Sequence, residues 1–421
     1  MSQESKMMKY LQILALGIAG GSIYLMPYIR YVFYDWQIEA MGITNVQLGL
    51  LSTAYTIGNV LLYIPGGIIA DKFSTKKCIL ISLISTTILT FIFAFTMGSY
   101  ALALVIWLLF AVTTTFLFWD ALMKTIRLIG DESEQGFMFG LYYMGNGLTG
   151  AIASAIGIRV TNMADTAQGK FFWGVIVYGC ATAVAAICVA LLLKDKQKAK
   201  IASNGQQEEG FKFSMVGQLL KSPTVWIFSI IVFTGYAVYS STSYFNPYLT
   251  DVVGITPEDS GYLAIIRTYI FYILTPISGM IADKLVKSTS KWFIFLFFIL
   301  AVLFVGVLAI PSGTSVGFVS FYTLLPGLFG LALYGIIFSI AAETKISAAV
   351  MGTAVGIASI IGYAPDFFMA AMFGDWIDRL GNGAYRFIFI FLAVNCMVGF
   401  VAALIVRFRA KKAPLKQPGN N

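Results

Sequence analysis

The stretch of sequence that decides the fold is GGIIADKFSTKK at residues 66–77. It joins two long apolar runs and carries one acidic and three basic residues within a few positions. A related stretch, SGMIADKLVKSTSK, follows at residues 278–291, and the two Ala-Asp-Lys triplets lie 212 residues apart. The same offset superposes GIT at 42–44 on GIT at 254–256. Because this offset is close to half of the 421 residues, we infer an internal duplication.

The composition is that of a membrane protein, with 58% hydrophobic and 11% charged residues, whereas soluble domains carry roughly 25% charged residues. Apolar runs of about 20 residues, long enough to span a hydrocarbon core of about 30 Å, recur along the chain. Lipid offers no hydrogen-bond partners to irregular backbone, so these runs are predicted to be transmembrane helices. The predicted helices are residues 10–34, 47–70, 77–97, 100–124, 136–158, 170–193, 224–248, 259–283, 290–310, 314–342, 346–374 and 384–407.

The distribution of lysine and arginine predicts the orientation. These residues concentrate at both ends of the chain and in every second connection, which places both termini in the cytoplasm. The predicted fold class is an all-α membrane protein with 12 transmembrane helices in two six-helix bundles. The predicted domains are an N-terminal bundle at 1–193, a cytoplasmic linker at 194–222, a C-terminal bundle at 223–410 and a cytoplasmic tail at 411–421.

The loop at 66–77 resembles the signature of the major facilitator superfamily, which reads glycine, three residues, Asp, a basic residue, three residues and two further bases. Gly67, Asp71, Lys72, Lys76 and Lys77 match this pattern position by position. The resemblance covers the whole chain and implies the fold of that family, in which these residues form a cytoplasmic gate rather than a substrate site. It also assigns to the gate the degenerate second copy, Gly279, Asp283 and Lys284, and acids at the ends of helices 4 and 10, which here are Asp131, Glu134 and Glu343. The alternative for these acids is that they are ordinary loop charges.

Arg30 lies deep in the first predicted helix, close to Tyr28, where an ionisable side chain is costly and is therefore a functional candidate. In one interpretation its guanidinium faces the central cavity and binds a carboxylate, phosphate or sulfonate through two hydrogen bonds. The alternative is a structural ion pair with Asp120 in the fourth helix. Asp120 also lies one helical turn before Lys124, so it has two competing partners and is a candidate for a switch or for proton coupling.

Two further charges, Arg267 and Asp366, lie in the eighth and eleventh predicted helices. Either they form a salt bridge with each other, or Arg267 belongs to the substrate site and Asp366 carries a proton. The seventh helix is unusually polar, and its side chains are predicted to line a wet cavity or to pack against another helix. The candidate binding residues in this helix are Tyr239, Tyr244 and Asn246. The predicted substrate site also includes Arg30, Tyr28, Asp120 and Arg267.

These features predict a secondary active transporter in a bacterial inner membrane, because two duplicated bundles provide alternating access to a site near the midplane. The segment with Tyr28 and Arg30 resembles, more weakly, the organophosphate and organic-anion branch of the family. That resemblance implies a small organic anion, moved by proton symport or anion exchange. The alternative is a proton-driven exporter of multiple drugs or hydrophobic compounds, suggested by the 15% of aromatic residues.

Several other classes are excluded or disfavoured by the sequence. It contains no histidine, so a His-based metal site is excluded. Its four cysteines have no paired spacing and are interpreted as structural thiols. It shows no nucleophile cluster and no nucleotide-binding loop, so we expect no enzyme activity, no cofactor and a gradient as the energy source. The expected partners are the solute, protons and the lipid bilayer, without nucleic acid, and the chain is expected to be a monomer.

Overall fold

The computed structural model describes residues 3–129, 135–194, 217, 219–311, 313–344, 346 and 348–411. Within these residues every regular element is a helix, and there is no strand. The α-helices, numbered in chain order, are α1 (Gln3–Ile23), α2 (Arg30–Met41), α3 (Asn45–Lys72), α4 (Thr75–Thr96), α5 (Tyr100–Ala111), α6 (Asp120–Ile129), α7 (Gln135–Thr161), α8 (Ala167–Leu192), α9 (Pro223–Ser241), α10 (Phe245–Tyr248), α11 (Pro257–Thr268), α12 (Thr275–Met280), α13 (Thr289–Leu308), α14 (Val316–Tyr334), α15 (Ala348–Gly362), α16 (Pro365–Leu380) and α17 (Ala384–Lys411). Short 3₁₀- or π-helical stretches lie at Val112–Trp119, Thr242–Tyr244, Leu249–Val253, Ile270–Leu274, Ile281–Leu285, Ile337–Glu343 and Gly381–Gly383.

Eight helical stretches in the described part of the chain are long and apolar enough to cross a membrane. In Tyr100–Ile129 and Pro223–Val253, successive helical elements follow one another without a loop. The longest stretch, Ala354–Arg409, overlaps the last two predicted spans. The all-helical membrane class is therefore confirmed. The number of spans and the cytoplasmic position of the termini stay predictions.

The repeated GIT sequence has a local structural role at two helix starts. Thr44 Oγ1 accepts a hydrogen bond from the Gln47 backbone N–H at 3.2 Å, and Gln47 Oε1 accepts one from the Thr44 backbone N–H at 2.9 Å. This reciprocal pair caps α3, and Thr256 caps α11 in the equivalent position. The preceding Gly42 and Gly254 have φ angles of 62° and 80°, which glycine adopts without strain. The duplicated sequence thus turns the chain and starts a helix in both halves.

The first predicted helix is interrupted in its middle. Helix α1 ends at Ile23, α2 begins at Arg30, and residues 24–29 form turns. Pro27 lies in this interruption and lacks the backbone N–H that a continuous helix requires. Its carbonyl accepts a hydrogen bond from the Trp107 indole at 3.2 Å. In membrane proteins such breaks occur where backbone lines a cavity or a site. Here the break places the arginine at the N-terminal end of α2.

Contacts between Cα atoms divide the chain into two compact units. The first unit contains Met1–Gln206, Ser243–Ile273 and Asp366–Ala384, and the second contains Gln207–Thr242, Leu274–Pro365 and Tyr385–Asn421. The first unit thus includes α10, α11 and α16 from the second half of the sequence. This grouping differs from the predicted boundaries, which rest on the sequence duplication and stay predictions. Most of the predicted linker and all but the start of the predicted tail lie outside the described residues.

The core of the first unit holds α1 firmly against α7. A Cβ atom built on Gly17 would lie 2.9 Å from the carbonyl oxygen of Tyr142, so the two helices touch through their backbones. Ile13 and Leu16 of α1 are fully buried in the same apolar cluster as Met138 of α7. The rigid packing of α1 fixes the position of the break that follows it.

Candidate functional site

A buried guanidinium at the helix break is the centre of the candidate site. Arg30 is only 5% exposed, and its Nη1 donates a hydrogen bond to the hydroxyl oxygen of Tyr244 at 3.3 Å. Its Cζ lies 5.4 Å and 5.5 Å from the ring centroids of Tyr31 and Tyr244, where aromatic faces stabilise a cation. Arg30 Nε is buried and has no hydrogen-bond partner among the described residues. A buried donor without a partner costs free energy, so this nitrogen marks a position where a ligand can accept a hydrogen bond.

Asp366 lies in the first turn of α16, is 7% exposed and interacts electrostatically with Arg30 and Tyr31. The Tyr244 hydroxyl group connects Arg30 with α16, because it accepts from Arg30 and donates to the carbonyl of Ala370 at 2.9 Å. The structure therefore brings three of the sequence-predicted residues, Arg30, Tyr244 and Asp366, into one cluster.

The second buried arginine is held by a neutral partner. Arg267 is 2% exposed, and its Nη2 donates a hydrogen bond to Asn246 Oδ1. The Arg267 guanidinium also lies 5.7 Å from the centroid of the Phe245 ring. Asn246 Nδ2 donates to the carbonyl of Tyr31 at 2.7 Å, so one amide links this arginine to the helix that carries Arg30. The predicted Arg267–Asp366 salt bridge is not among the contacts that the structure describes, and it stays a prediction.

Tyrosine rings extend the cluster around Arg30. The Tyr28 ring lies 5.2 Å from that of Tyr31 and 5.5 Å from that of Tyr55, between centroids. Tyr55 shares a hydrogen bond of 2.8 Å with the Thr114 hydroxyl group. Asp366 also interacts electrostatically with the phenol groups of Tyr28 and Tyr55. Tyr31 and Tyr55 were not predicted as site residues, although a tyrosine directly beside a buried arginine was a signal for the first of them.

The predicted binding residue Tyr239 belongs to the second unit, where it lies in a cluster of tyrosines. Its ring stacks on that of Tyr334, with centroids 4.3 Å apart and planes within 9°. Tyr236 lies 5.6 Å from Tyr334 and 4.6 Å from Tyr363. The role of Tyr239 in substrate binding stays a prediction.

Asp120 is placed at the start of α6, beside the gate-motif end of α3. A Cβ atom built on Gly66 of α3 would lie 3.0 Å from Asp120 Oδ2. The carboxylate of Asp120 therefore lies close to the backbone of α3 at a position where glycine leaves room for it. Lys124 Nζ donates to the carbonyl of Ala70 at 3.1 Å. The contacts that the structure describes for Arg30 go to other residues, so the Arg30–Asp120 ion pair and the Asp120 switch stay predictions.

The first copy of the gate motif makes contacts within its own neighbourhood. Lys76 Nζ donates to the carbonyl of Ala190 at 2.9 Å, near the end of α8. Ser74 Oγ accepts from the backbone N–H of Lys77 at 3.3 Å and caps α4. Gly67 and Lys72 lie in α3, whereas Asp131, Glu134 and the side chain of Asp71 lie outside what the structure describes.

In the second copy the acidic partner has a defined position. Glu343 accepts hydrogen bonds from the Ser290 backbone N–H and from the Ser288 hydroxyl group, each at 3.3 Å. These donors lie at the N-terminus of α13, where the helix dipole stabilises a carboxylate. Gly279 lies in α12, and Asp283 and Lys284 follow it as exposed residues. The gate function of both copies stays a prediction.

At the end of α3 opposite the gate motif, a carboxylate from α16 caps the helix. Asp378 Oδ1 accepts from the backbone N–H of Asn45 at 3.0 Å and from its side-chain amide at 2.8 Å, and Asp378 Oδ2 accepts from the Val46 N–H at 2.9 Å. The Tyr34 hydroxyl group donates to Asn45 Oδ1 at 2.8 Å. A carboxylate is the preferred group at a helix N-terminus. Asp378 was not predicted as a functional residue, because its partner Asn45 lies 333 residues away and Asp378 resembles a loop charge.

Next to this cap, two glycines allow α3 and α16 to touch. A Cβ atom on Gly49 would lie 2.4 Å from the carbonyl oxygen of Ala370, and one on Gly374 would lie 2.4 Å from the carbonyl oxygen of Asn45. Ordinary contacts of a Cβ atom are 3.4–4 Å. We call this region, formed by Asn45, Gly49, Gly374 and Asp378, the α3–α16 contact. It joins the middle and the C-terminal end of α16 to the N-terminal part of α3.

These observations define a class of protein: an all-helical, multi-pass membrane protein with a buried arginine at a helix break. Residues 12–370 match the sequence profile of the Major Facilitator Superfamily. The chain belongs to this family, and it is therefore a secondary transporter rather than an enzyme. The family predicted from the loop at 66–77 is confirmed.

The comparisons with individual proteins support the same conclusion. The chain is 28% identical to the inner membrane protein YqcE of Escherichia coli K12 over 98% of both proteins. It is 22% identical to the glycerol-3-phosphate transporter of Bacillus subtilis 168, over 94% of this chain and 91% of that protein. It is 20% identical to the probable sulfoacetate transporter SauU of Cupriavidus necator, over 60% of each.

Solved structures show the same fold. A bacterial homolog of the human lysosomal transporter Spinster has a TM-score of 0.68 with 15% identity, over 100% of both chains. The membrane relatives and the apolar helices place this chain in the plasma membrane as a multi-pass protein. The predicted localisation is confirmed.

Proposed function

We propose that this protein carries a small organic anion of the sulfonate, phosphate or carboxylate type across the plasma membrane. The observation that carries this proposal is Arg30, a buried guanidinium whose Nε has no partner among the described residues. Arginine presents its N–H groups as a planar fork, which matches two oxygens of such anions. Burial strengthens this recognition, since water does not compete for the charge. Tyr244 and the ring of Tyr31 hold the fork in place.

Arg267 supports the proposal as a second positive charge in the same unit. Its hydrogen bond to Asn246, and that of Asn246 to the backbone of Tyr31, tie it to the Arg30 segment. The relatives named as glycerol-3-phosphate and sulfoacetate transporters agree with an anionic substrate. The gradient that drives uptake is that of a proton or of a counter-anion. Tyr28, which belongs to the same unit as Arg30, is the further aromatic residue that we assign to the substrate site.

The architecture that we propose for this activity is the one predicted from the sequence. Twelve spans in two six-helix halves, with both termini in the cytoplasm, open alternately to the two sides of the membrane. The gate motif around Asp71 closes the cytoplasmic end, and the α3–α16 contact closes the opposite end. We expect the protein to carry out this cycle as a monomer. Light scattering of the purified protein measures its oligomeric state and tests this expectation.

Anion exchange into proteoliposomes tests the proposed function. Vesicles are preloaded with an unlabelled solute, and entry of the same labelled solute is followed for sulfoacetate, glycerol 3-phosphate, lactate, glycerol and a lipophilic cation. We expect exchange of at least one of the three anions and none of glycerol or the cation. Exchange or export of the lipophilic cation without exchange of any anion would support the multidrug alternative and contradict the proposal.

We expect Tyr244→Phe to weaken binding of the transported anion about five- to tenfold. The substitution removes the hydroxyl group that orients Arg30, and hydrogen bonds of this kind contribute about 1 kcal/mol or slightly more. Titration calorimetry of the purified protein measures the change. Tyr262→Phe is the matched control, because this tyrosine is 37% exposed and should bind the anion as the wild type does. Equal affinities in all three proteins would show that the hydroxyl group does not position the arginine.

A further inference from the structure

We propose that Trp107 is a positioning residue of the anion site, which holds the helix break in the conformation that presents the guanidinium of Arg30 to the anion. This inference rests on the proposed function. Trp107 does not contact the anion and acts through one hydrogen bond to the backbone of the break. Loss of its indole N–H should therefore weaken anion binding and leave the maximal rate of exchange unchanged.

The carbonyl group of Pro27 has lost its partner within the helix. In a continuous α-helix it would accept a hydrogen bond from the backbone N–H four residues later, which belongs to Tyr31. In this structure the Tyr31 N–H donates instead to the carbonyl of Tyr28 at 2.9 Å. The Trp107 indole N–H donates to the Pro27 carbonyl at 3.2 Å and replaces the missing bond. A buried carbonyl without a partner costs free energy, so the indole stabilises the break in the observed conformation.

Trp107 is itself held in place by aromatic neighbours. It lies in α5 and is 2% exposed. Its ring lies edge to face against the rings of Phe93 and Phe110, with centroids 5.1 Å and 5.7 Å away. This is the preferred geometry of aromatic pairs, and it fixes the direction of the indole N–H. The position of the Pro27 carbonyl is therefore set by α5.

A second contact attaches the start of the break to the same helical stretch. Tyr24 is the first residue after α1, and its hydroxyl group donates to the carbonyl of Thr114 at 3.4 Å. Thr114 lies in the π-helical stretch that continues α5. Two points of the break, Tyr24 and Pro27, are thus joined by hydrogen bonds to the stretch Tyr100–Ile129.

The conformation of the break determines where Arg30 lies, because Arg30 begins α2 three residues after Pro27. Without the indole N–H, the Pro27 carbonyl either recovers its helical bond from Tyr31 or binds water, and both changes move the backbone that carries the arginine. Only the binding-competent fraction of molecules binds the anion, so the apparent dissociation constant rises as this fraction falls. Removing the donor from a buried carbonyl shifts such an equilibrium about 5- to 150-fold. Part of this shift only brings the competing conformation to an appreciable population, so we expect the affinity to fall about three- to tenfold.

The test uses sulfoacetate and glycerol 3-phosphate as probes, with titration calorimetry for affinity and proteoliposomes for exchange. Two replacements remove the N–H. The first is Trp107→Phe, and the second is genetically encoded benzothienylalanine at position 107, which keeps the size of the ring and has sulfur in place of the N–H. Both proteins should bind the anion about three- to tenfold more weakly than the wild type. At saturating anion both should exchange within about twofold of the wild-type rate, because saturation restores the binding-competent conformation.

Trp226→Phe is the matched control. The Trp226 indole N–H donates to the carbonyl of Leu220 at 2.7 Å, so the same kind of bond is lost. Trp226 belongs to the second unit and is 45% exposed, and its replacement should leave the affinity unchanged. A second comparison uses Arg30→Lys, since lysine is a point charge on a flexible stem and depends less on the backbone beneath it. In that background Trp107→Phe should weaken binding by less than about twofold.

The outcomes separate this inference from the proposed function. If the wild type exchanges none of sulfoacetate, glycerol 3-phosphate and lactate, the proposed function is wrong and this inference falls with it. If the wild type binds an anion and both replacements at position 107 bind it equally well, only the present inference is overturned. The same holds if Trp107→Phe weakens binding equally with and without Arg30→Lys, because the indole then acts on the fold and not through the arginine. Thermal unfolding in detergent identifies the folded variants, and the benzothienylalanine protein decides the question if Trp107→Phe does not fold.

Discussion

Arg30→Ala is expected to lower the rate of anion exchange by at least about 30-fold at a subsaturating anion concentration. Truncating one partner of a buried, hydrogen-bonded charge pair costs about 2–5 kcal/mol, because the other charge is left without a countercharge. In the Arg30→Ala variant the anion would enter a site that contains the carboxyl group of Asp366 but lacks the positive charge of the guanidinium. Arg30→Lys keeps the charge and loses the fork, so we expect an intermediate rate. Exchange in proteoliposomes, at matched amounts of inserted protein, measures both variants.

The control for Arg30 is a surface arginine. Arg379 forms an ion pair of 2.8 Å with Asp375, and its side chain is 76% exposed. Exposed pairs contribute about 0–1 kcal/mol, so Arg379→Ala should transport as the wild type does. Thermal unfolding in detergent shows whether each variant remains folded. Exchange by folded Arg30→Ala within threefold of the wild type would exclude the arginine as the anion-binding group.

The charged candidates of the site could be predicted from the sequence because charge is rare in apolar runs. Arg30, Arg267 and Asp366 are charged residues within the apolar runs that were predicted to be helices. All three side chains are buried in the structure. The family could also be predicted, since five residues of the loop at 66–77 match its signature in both type and spacing. These signals are local, so they need no knowledge of tertiary structure.

The partners of these charges could not be predicted, because they depend on which helices meet. The partners predicted from the sequence were Asp120 for Arg30 and Asp366 for Arg267. The described contacts instead join Arg30 to Tyr244 and Arg267 to Asn246. Pro27 indicates a break before Arg30, but the first helix was predicted to be continuous from 10 to 34. The cap of α3 by Asp378 had no local signal at all.

Gly49→Ala and Gly374→Ala are expected to reduce the maximal rate of anion exchange about fivefold or more. Each new methyl group would lie 2.4 Å from a backbone carbonyl oxygen across the α3–α16 contact, so the helices must move apart. Overpacking of this kind costs about 1–3 kcal/mol, which is about 5- to 150-fold in the population of the closed contact. Under the proposed mechanism every cycle passes through this closed contact once. Asp378→Ala should act in the same direction with a smaller effect, because the loss of a helix cap costs about 1 kcal/mol.

The matched control is Gly140→Ala in α7, where a Cβ atom would meet nothing within 4 Å. Alanine is favoured over glycine in a helix by about 1 kcal/mol, so this variant should be as stable as the wild type or more stable, with unchanged exchange. Separation of α3 from α16 is measured by labelling Thr53→Cys, because Thr53 Oγ1 of α3 donates to the Phe367 carbonyl of α16 at 3.1 Å, next to the α3–α16 contact. With the four native cysteines replaced by serine, a membrane-impermeant thiol reagent should label this cysteine faster in the two glycine variants. Unchanged labelling together with an unchanged maximal rate would mean that the contact does not open during transport.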